Sequence, residues 1–186
     1  MKIIFLDIDG VLNSGRSFIA GAARMRATNA EESSDPYYAK ITKATIDPVS
    51  VDLLNKILVD FDAKIVLSST HRMHFAPPDR LGQIQKYLTE LGVLGDRCIG
   101  YTPRFNAIRG DEIQHWIEEW NKSPSVMVDP EVLGIEHMII LDDSSDFRPE
   151  QMEFHVHCAG AHGITEENYR QMTRLFGRED SGLVFL

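Results

Sequence analysis

The stretch that decides the fold is KIIFLDIDGVLN, residues 2–13. Its first five residues form a short, β-rich apolar run, which indicates a strand buried on both faces. Strands of this kind belong to parallel sheets that helices cover on both sides. Two carboxylates, Asp7 and Asp9, stand where the strand ends, and Gly10 follows them. Because ligands of open parallel sheets bind beyond the carboxyl ends of the strands, this stretch predicts a site as well as a strand.

Strands and helices alternate along the rest of the chain. Apolar runs predict further strands over residues 63–67, 97–101, 137–141 and 154–158, and a possible edge strand over 183–186. Apolar residues at helical spacing predict a short helix over residues 18–26 and longer helices that begin at Asp47-Pro48, Asp79, Arg109 and Thr165. This alternation predicts an α/β fold: three Rossmann-like layers around a mainly parallel, five-stranded sheet, in a single domain over residues 1–186.

Composition limits the kinds of partner. The 186 residues carry a formal net charge of -9, which argues against a surface that coats nucleic acid but allows a local basic patch. No apolar run approaches the ~20 residues of a membrane span, and no signal peptide is visible. Cys98 and Cys158 stand in no metal-binding spacing. We therefore expect two buried thiols in a cytoplasmic protein without membrane contact.

Acidic residues follow two of the predicted strands. Asp7 and Asp9 end the first strand, and Asp142 and Asp143 end the fourth. Carboxylates gathered at one sheet edge repel each other, and a hard divalent cation relieves that repulsion. Ligands that are all oxygen favour Mg²⁺. Asp142 and Asp143 are alternatives as the metal ligand, because adjacent strand residues point to opposite sides; Asp146 is either a further ligand or a capping residue.

Other residues at the same edge suit a phosphate group. Ser68 ends the second predicted strand and offers a hydroxyl, and Arg109 offers a planar guanidinium that can donate to two oxygens at once. Ser69 could replace Ser68 as the phosphate hydroxyl. Arg72 either contacts a substrate phosphate or pairs with Asp79 on the surface.

These residues together resemble the four motifs of the haloacid dehalogenase (HAD) superfamily. The resemblance is carried by Asp7–Val11, Ile65–Ser68, Arg109 and Ile139–Asp146, in that order. Within the superfamily, the pattern is similar to the HAD domain of "Swiss army knife" RNA-repair proteins. That narrower likeness rests on Asp7–Asn13, Ser68–Arg72, Arg109–Ile113 with Trp116, Asp142–Asp146 and Gly163–Thr165. The sequence departs from the pattern at His71, where a Trp often precedes the arginine.

The resemblance implies a phosphohydrolase of known mechanism. Asp7 would attack phosphorus and form an aspartyl-phosphate, and Asp9 would protonate the leaving oxygen and then activate water. Mg²⁺ would be held by the Asp7 carboxylate, the Asp9 backbone carbonyl and Asp142 or Asp143. Ser68 and Arg109 would hold the phosphoryl oxygens. The acid role requires a pKa of Asp9 above its usual value of ~3.9.

Residues 14–46 bear on the choice of substrate. This stretch is irregular and carries basic residues, and it is either a lid or substrate loop or a plain surface loop. With no or only a minimal cap domain, an open cleft would suit a nucleic-acid or nucleotide end carrying a phosphate. Candidate contacts to such a substrate are Arg16, Arg24, Arg26 and Arg72. The alternatives are a small-metabolite phosphatase closed by residues 14–46, and a non-catalytic binding module.

Overall fold

A computed structural model describes residues 1–27, 43–105, 107–122 and 135–177, without the side chains of residues 24–27. Five parallel strands form one sheet in the order β3-β2-β1-β4-β5. Their bounds are β1 Lys2–Leu6, β2 Lys64–Leu67, β3 Cys98–Tyr101, β4 His137–Asp142 and β5 His155–His157. The predicted α/β fold with a parallel sheet is confirmed.

In the described part of the chain, the helices whose bounds are given connect and cover the strands. They are α1 Gly15–Ala27, α2 Pro48–Asp60, α3 Arg80–Glu90, α4 Arg109–Lys122 and α5 Glu166–Phe176. Three of them begin at the predicted N-caps, because Asp47, Asp79 and Thr165 each accept a hydrogen bond from a backbone N–H of the first turn. Short 3₁₀ helices cover Thr70–His74, Gly95–Arg97 and Pro149–Phe154.

The strand β1 lies at the centre of three layers. Ile4 and Leu6 belong to the core under α2, α3 and α5, whereas Ile3 and Phe5 belong to the core under α4. Alternate residues of one strand thus face opposite helical layers, as the unbroken apolar run of β1 predicts. Trp116 of α4 packs edge-on against Phe5 with ring centroids 5.6 Å apart, which places this indole in the core under α4.

Both cysteines are buried, as predicted. Burial raises the pKa of the Cys98 thiol to about 11 and that of the Cys158 thiol to about 12. Both thiols are therefore protonated near neutral pH, and they act as small apolar side chains.

The order of the strands creates a switch point at β1. From β1 the chain proceeds to β2 on one side, and it later adds β4 on the other side. The backbone ladder continues one residue past the strands, since Asp7 N donates to Leu141 O at 3.0 Å and Ser68 N donates to Leu6 O at 2.8 Å. The polar residues after β1, β2 and β4 are therefore held at one edge of the sheet, where ligands of such folds bind.

Some predictions fall outside the described residues. They include the edge strand over 183–186 and the middle of the stretch 14–46, at residues 28–42. The helix predicted over residues 18–26 lies inside α1. None of the described helices combines the length and the apolar character that crossing a membrane requires.

Candidate active site

Three carboxylates meet at the switch point. Asp7 follows β1, Asp142 ends β4 and Asp143 follows it, and each offers one oxygen within 4.8 Å of the other two. Asp7 and Asp142 are buried, and Asp143 is exposed. Among the described residues, this is the one group of His, Cys, Asp or Glu side chains with the spacing of a metal site. The two alternatives for the metal ligand, Asp142 and Asp143, therefore lie together.

Two glycines make room for the Asp143 carboxylate. Gly10 has a φ of +74°, and a Cβ at this position would lie 2.1 Å from Asp143 Oδ2. A Cβ at Gly160 would lie 2.9 Å from the same oxygen. No side chain fits at such distances, and positive φ favours glycine in any case. The glycine that ends the first motif thus allows the acid of β4 to approach the loop after β1.

A single guanidinium lies between the two buried acids. Nη1 of Arg109 is 3.1 Å from Asp7 Oδ2 and 3.1 Å from Asp142 Oδ2, and it donates to Ser68 O at 2.5 Å. Arg109 is the first residue of α4. Its backbone N–H donates to Asp146 Oδ2 at 3.1 Å, and the other oxygen of Asp146 accepts a hydrogen bond from Ser144. Of its two predicted roles, Asp146 therefore has the capping one.

The charges of this cluster shift its pKa values. Burial raises the pKa of Asp7, although Arg109 acts in the opposite direction. Burial and the neighbouring charge of Asp7 raise the pKa of Asp142. For Arg109, burial alone would lower the pKa, but the carboxylates of Asp7 and Asp142 outweigh it and the pKa is raised. One guanidinium thus serves two buried acids, which leaves negative charge uncompensated.

The cluster fits a divalent cation. Its donors are all carboxylate oxygens, which suits Mg²⁺ better than the metals that prefer nitrogen or sulfur. Oδ2 of Asp142 is buried and has no hydrogen-bond partner among the described residues, because its contact with Arg109 lacks the alignment of a hydrogen bond. Its ion pair with Arg109 is shared with Asp7, so a divalent cation would supply the further positive charge that two buried carboxylates require.

The two serines after β2 differ in their surroundings. The Oγ of Ser69 accepts a hydrogen bond from His71 N at 3.3 Å at the turn into the 3₁₀ helix. The Ser69 side chain also hydrogen-bonds the Asp7 carboxylate, which acts to lower the pKa of Asp7. Ser68 is 1% exposed, and its Oγ has no hydrogen-bond partner within the described part of the chain. Both serines therefore stay alternatives for the phosphate hydroxyl: Ser68 offers an unused hydroxyl, and Ser69 lies against Asp7.

Asp9 lies apart from the carboxylate cluster. Its side chain is 61% exposed, with Oδ2 3.0 Å from His71 Nε2 and Oδ1 accepting from Asn13 Nδ2 at 2.9 Å. The hydrogen bond with His71, opposed by partial burial and supported by Asn13, lowers the pKa of Asp9. The expectation of a raised pKa is therefore wrong, because two side chains that the sequence argument did not use hold this carboxylate.

The expected pairing of Arg72 with Asp79 is wrong, because Asp79 caps α3 instead. The Arg72 side chain is buried, at 3% exposure for the residue, and its contact with a substrate phosphate stays a prediction. Nη2 of Arg72 lies 2.5 Å from Glu112 Oε2, and Nη1 donates to the backbone oxygens of Ser68 and Ser69. Arg72 thus joins the end of β2 to α4. The only sequence signal for Glu112 is its position three residues after Arg109, near the same face of a helix.

An open cleft of about 440 Å³ lies beside the cluster, between the loop after β1 and α1. It is lined by Asp9, Gly10, Asn13, Ser14, Gly15, Phe18, Thr45, Asp143 and Gly160. Phe18 is half exposed there, and the described lining contains two acids and no basic side chain. Arg16 is exposed but does not line the cleft, and the side chains of Arg24 and Arg26 lie outside the description.

The family model described as "HAD domain in Swiss Army Knife RNA repair proteins" matches residues 3–169. The matched range includes β1 from Ile3 onward, the strands β2 to β5 and the whole carboxylate cluster. No curated protein and no solved structure matches the chain.

The buried pair between Arg72 and Glu112 generates a stability prediction. Glu112→Ala leaves a buried guanidinium without its carboxylate, and we expect it to lower the free energy of unfolding by about 3–5 kcal/mol. The double variant Arg72→Met/Glu112→Leu removes both charges and should recover most of that loss. Urea unfolding measures both effects, with Glu118→Ala on the exposed face of α4 as the control. A cost for Glu112→Ala no larger than that of the control would contradict this assignment.

Proposed function

The chain belongs to the family of HAD domains in Swiss Army Knife RNA repair proteins, and from this premise we propose that it is a phosphomonoester hydrolase. The observation that carries the proposal is the buried Asp7 carboxylate, which lies against Arg109 at the switch point of the sheet. A free hydroxyl at Ser68 and two further acids complete the set of groups that phosphoryl transfer needs.

Asp7 is proposed as the nucleophile. One of its oxygens attacks phosphorus, the bond to the leaving oxygen breaks, and an aspartyl-phosphate forms. Water then attacks that phosphorus, the bond to Asp7 breaks, and inorganic phosphate leaves. Oδ1 of Asp7 accepts from Ile8 N at 2.8 Å, which fixes the orientation of the carboxylate and supports this role.

Ser68 and Arg109 are proposed to bind the phosphoryl oxygens. The Ser68 hydroxyl is buried and unpaired among the described residues, so a phosphoryl oxygen would supply the acceptor that it lacks. The guanidinium of Arg109 has further donors beyond Nη1 and is the cation closest to the nucleophile. Preorganised donors of this kind stabilise the charge that develops in the transition state.

The carboxylates of Asp7, Asp142 and Asp143, with the backbone carbonyl of Asp9, are proposed to hold Mg²⁺. When bound, the ion neutralises the attacking carboxylate and the phosphoryl oxygens. This assignment is supported by the compactness of the three-carboxylate cluster and by the buried Asp142 oxygen, which accepts no hydrogen bond from the described residues.

Asp9 is proposed as the general acid and base. It stands two residues after the nucleophile and lines the cleft that would receive the leaving group. Asp9 takes up one proton from solvent before the first step and gives it to the leaving oxygen in that step. In the second step the ionised carboxylate takes a proton from the attacking water.

For the substrate, we propose a nucleic-acid or nucleotide end that carries a phosphate. The name of the family, RNA repair proteins, and the open cleft support this class. The lining of the cleft favours a second class of substrate, a small metabolite that carries one phosphate group and no other charge. Its two acids would repel the neighbouring phosphates of a polynucleotide, and the lining contains no described lysine or arginine.

The nucleophile is tested by Asp7→Asn. With p-nitrophenyl phosphate and Mg²⁺, we expect kcat to fall by about 10³-fold or more, because an amide cannot form the acyl phosphate. The exposed acid Asp96 offers a matched control, and Asp96→Asn should keep the wild-type rate. Equal rates for wild type and Asp7→Asn would defeat the role of Asp7.

The metal site is tested by Asp142→Asn and Asp143→Asn. Each removes one carboxylate from the cluster, and we expect each to raise the Mg²⁺ concentration for half-maximal activity by about 10-fold or more. Calorimetric titration of Mg²⁺ into the same variants should show a parallel loss of affinity, and Asp96→Asn should match wild type. Unchanged Mg²⁺ affinity in both variants would exclude this cluster as the metal site.

The two substrate classes are separated by a comparison of 3′- and 5′-phosphorylated oligonucleotides with mononucleotides and sugar phosphates. A nucleic-acid end should give the highest kcat/KM, and the value should fall with salt because a polyanion binds through counterion release. A preference for sugar phosphates that salt does not change would instead establish the metabolite class.

A further inference from the structure

The orientation of the Asp9 side chain is not set by β1, since Asp9 lies beyond the end of that strand. Most of its side chain is exposed, and an exposed carboxylate is normally free to change rotamer. A general acid, however, must stay within hydrogen-bond reach of the oxygen that it protonates. The restraint on Asp9 must come from the residues that contact it.

His71 supplies one restraint from a buried position. Its Nε2 lies 3.0 Å from Asp9 Oδ2, and its Nδ1 lies 2.7 Å from the hydroxyl of Tyr87. The rings of His71 and Tyr87 stack at 5.9 Å with an interplanar angle of 28°. Tyr87 belongs to α3 and packs against Phe75 with centroids 5.3 Å apart. The imidazole is thus fixed from the side opposite to Asp9.

For a neutral imidazole, the hydrogen bonds of this group fit one tautomer. With the proton on Nε2, Nε2–H donates to Asp9 and Nδ1 accepts the proton of the Tyr87 hydroxyl. The second oxygen of Asp9 accepts from Asn13, whose own Oδ1 accepts from Gly10 N at 2.7 Å. Each oxygen of the carboxylate therefore has one donor, and the two donors come from different elements.

We propose that His71 is a positioning residue, held by Tyr87, that fixes the Asp9 carboxylate toward the cleft where the leaving group is protonated. The role of Asp9 in this statement rests on the proposed function. The hydrogen bond between His71 and Asp9 does not depend on that function, since it is observed in the structure. His71 does not touch the substrate and acts only through Asp9.

A double-mutant cycle tests whether His71 acts through Asp9. We expect His71→Ala to lower kcat/KM by about 10- to 100-fold for an alkyl phosphate such as glycerol phosphate, as part of the roughly 10²–10⁴-fold that acid–base groups contribute. The loss should be much smaller for p-nitrophenyl phosphate, whose weakly basic leaving group needs little protonation. In an Asp9→Asn background, His71→Ala should have almost no further effect.

Two other variants separate positioning from general destabilisation. Tyr87→Phe removes the hydroxyl that fixes the imidazole, and it should give a smaller loss with the same dependence on the leaving group. Ile84→Val trims a buried residue one turn away on α3 and should leave the ratio between the two substrates unchanged. Additive effects of His71→Ala and Asp9→Asn, or an equal loss on both substrates, would overturn the proposal.

Nitrogen-15 NMR of the imidazole gives a readout that does not depend on activity. We expect the proton on Nε2 in wild type, and faster exchange of that proton with water in Asp9→Ala. A proton on Nδ1 of the neutral ring, or an exchange rate that Asp9→Ala leaves unchanged, would refute the positioning role. If wild type lacks phosphatase activity but the proton is on Nε2 and protected by Asp9, the proposed function fails while the restraint of Asp9 by His71 stands.

Discussion

The structure depends on one charge balance, in which a single guanidinium serves two buried carboxylates. Two unit charges 4 Å apart interact by about 4 kcal/mol at an effective dielectric constant of 20, so Asp7 and Asp142 could not stay buried together without Arg109. The parallel ladder brings the acids to one sheet edge, and the first turn of α4 supplies the cation. Asp146 caps that turn and so holds Arg109 in place.

The helix α4 also couples this cluster to the end of β2. Glu112, one turn after Arg109, forms the buried pair with Arg72, and both arginines donate to the carbonyl oxygen of Ser68. The backbone of Ser68 is therefore held from two sides, while its hydroxyl has no partner among the described residues. The Ser68 hydroxyl, which we propose to bind the phosphate, is therefore positioned by Arg72 and Arg109. Of these two arginines, only Arg109 is proposed to bind the phosphoryl oxygens.

The strands, the helices and the shared sheet edge could be predicted from the sequence, because local patterns and sheet topology determine them. Apolar runs and N-caps located the strands and helices, and parallel topology alone predicted that Asp7, Ser68 and Asp142 would share one edge. The partner of Arg72 could not be predicted, because a buried and an exposed arginine look alike in sequence. The environment of Asp9 could not be predicted either, because it depends on His71, which lies 62 positions along the chain. The approach of Asp143 to the loop after β1 depends on space that Gly10 and Gly160 leave open.

Asp7 and Asp9 belong to one motif, but their surroundings shift their pKa values in opposite directions. Asp7 continues the ladder of β1 and is buried, so desolvation raises its pKa. Asp9 lies beyond the end of the strand, where hydrogen bonds from His71 and Asn13 lower its pKa. A divalent cation beside a carboxylate favours its charged form, and a phosphoryl group beside a carboxylate favours its neutral form. In the proposed site, Asp7 would hold the cation through its carboxylate, whereas Asp9 would contribute only its backbone carbonyl and its side chain lines the cleft. The cation would therefore favour at Asp7 the charged form that a nucleophile requires.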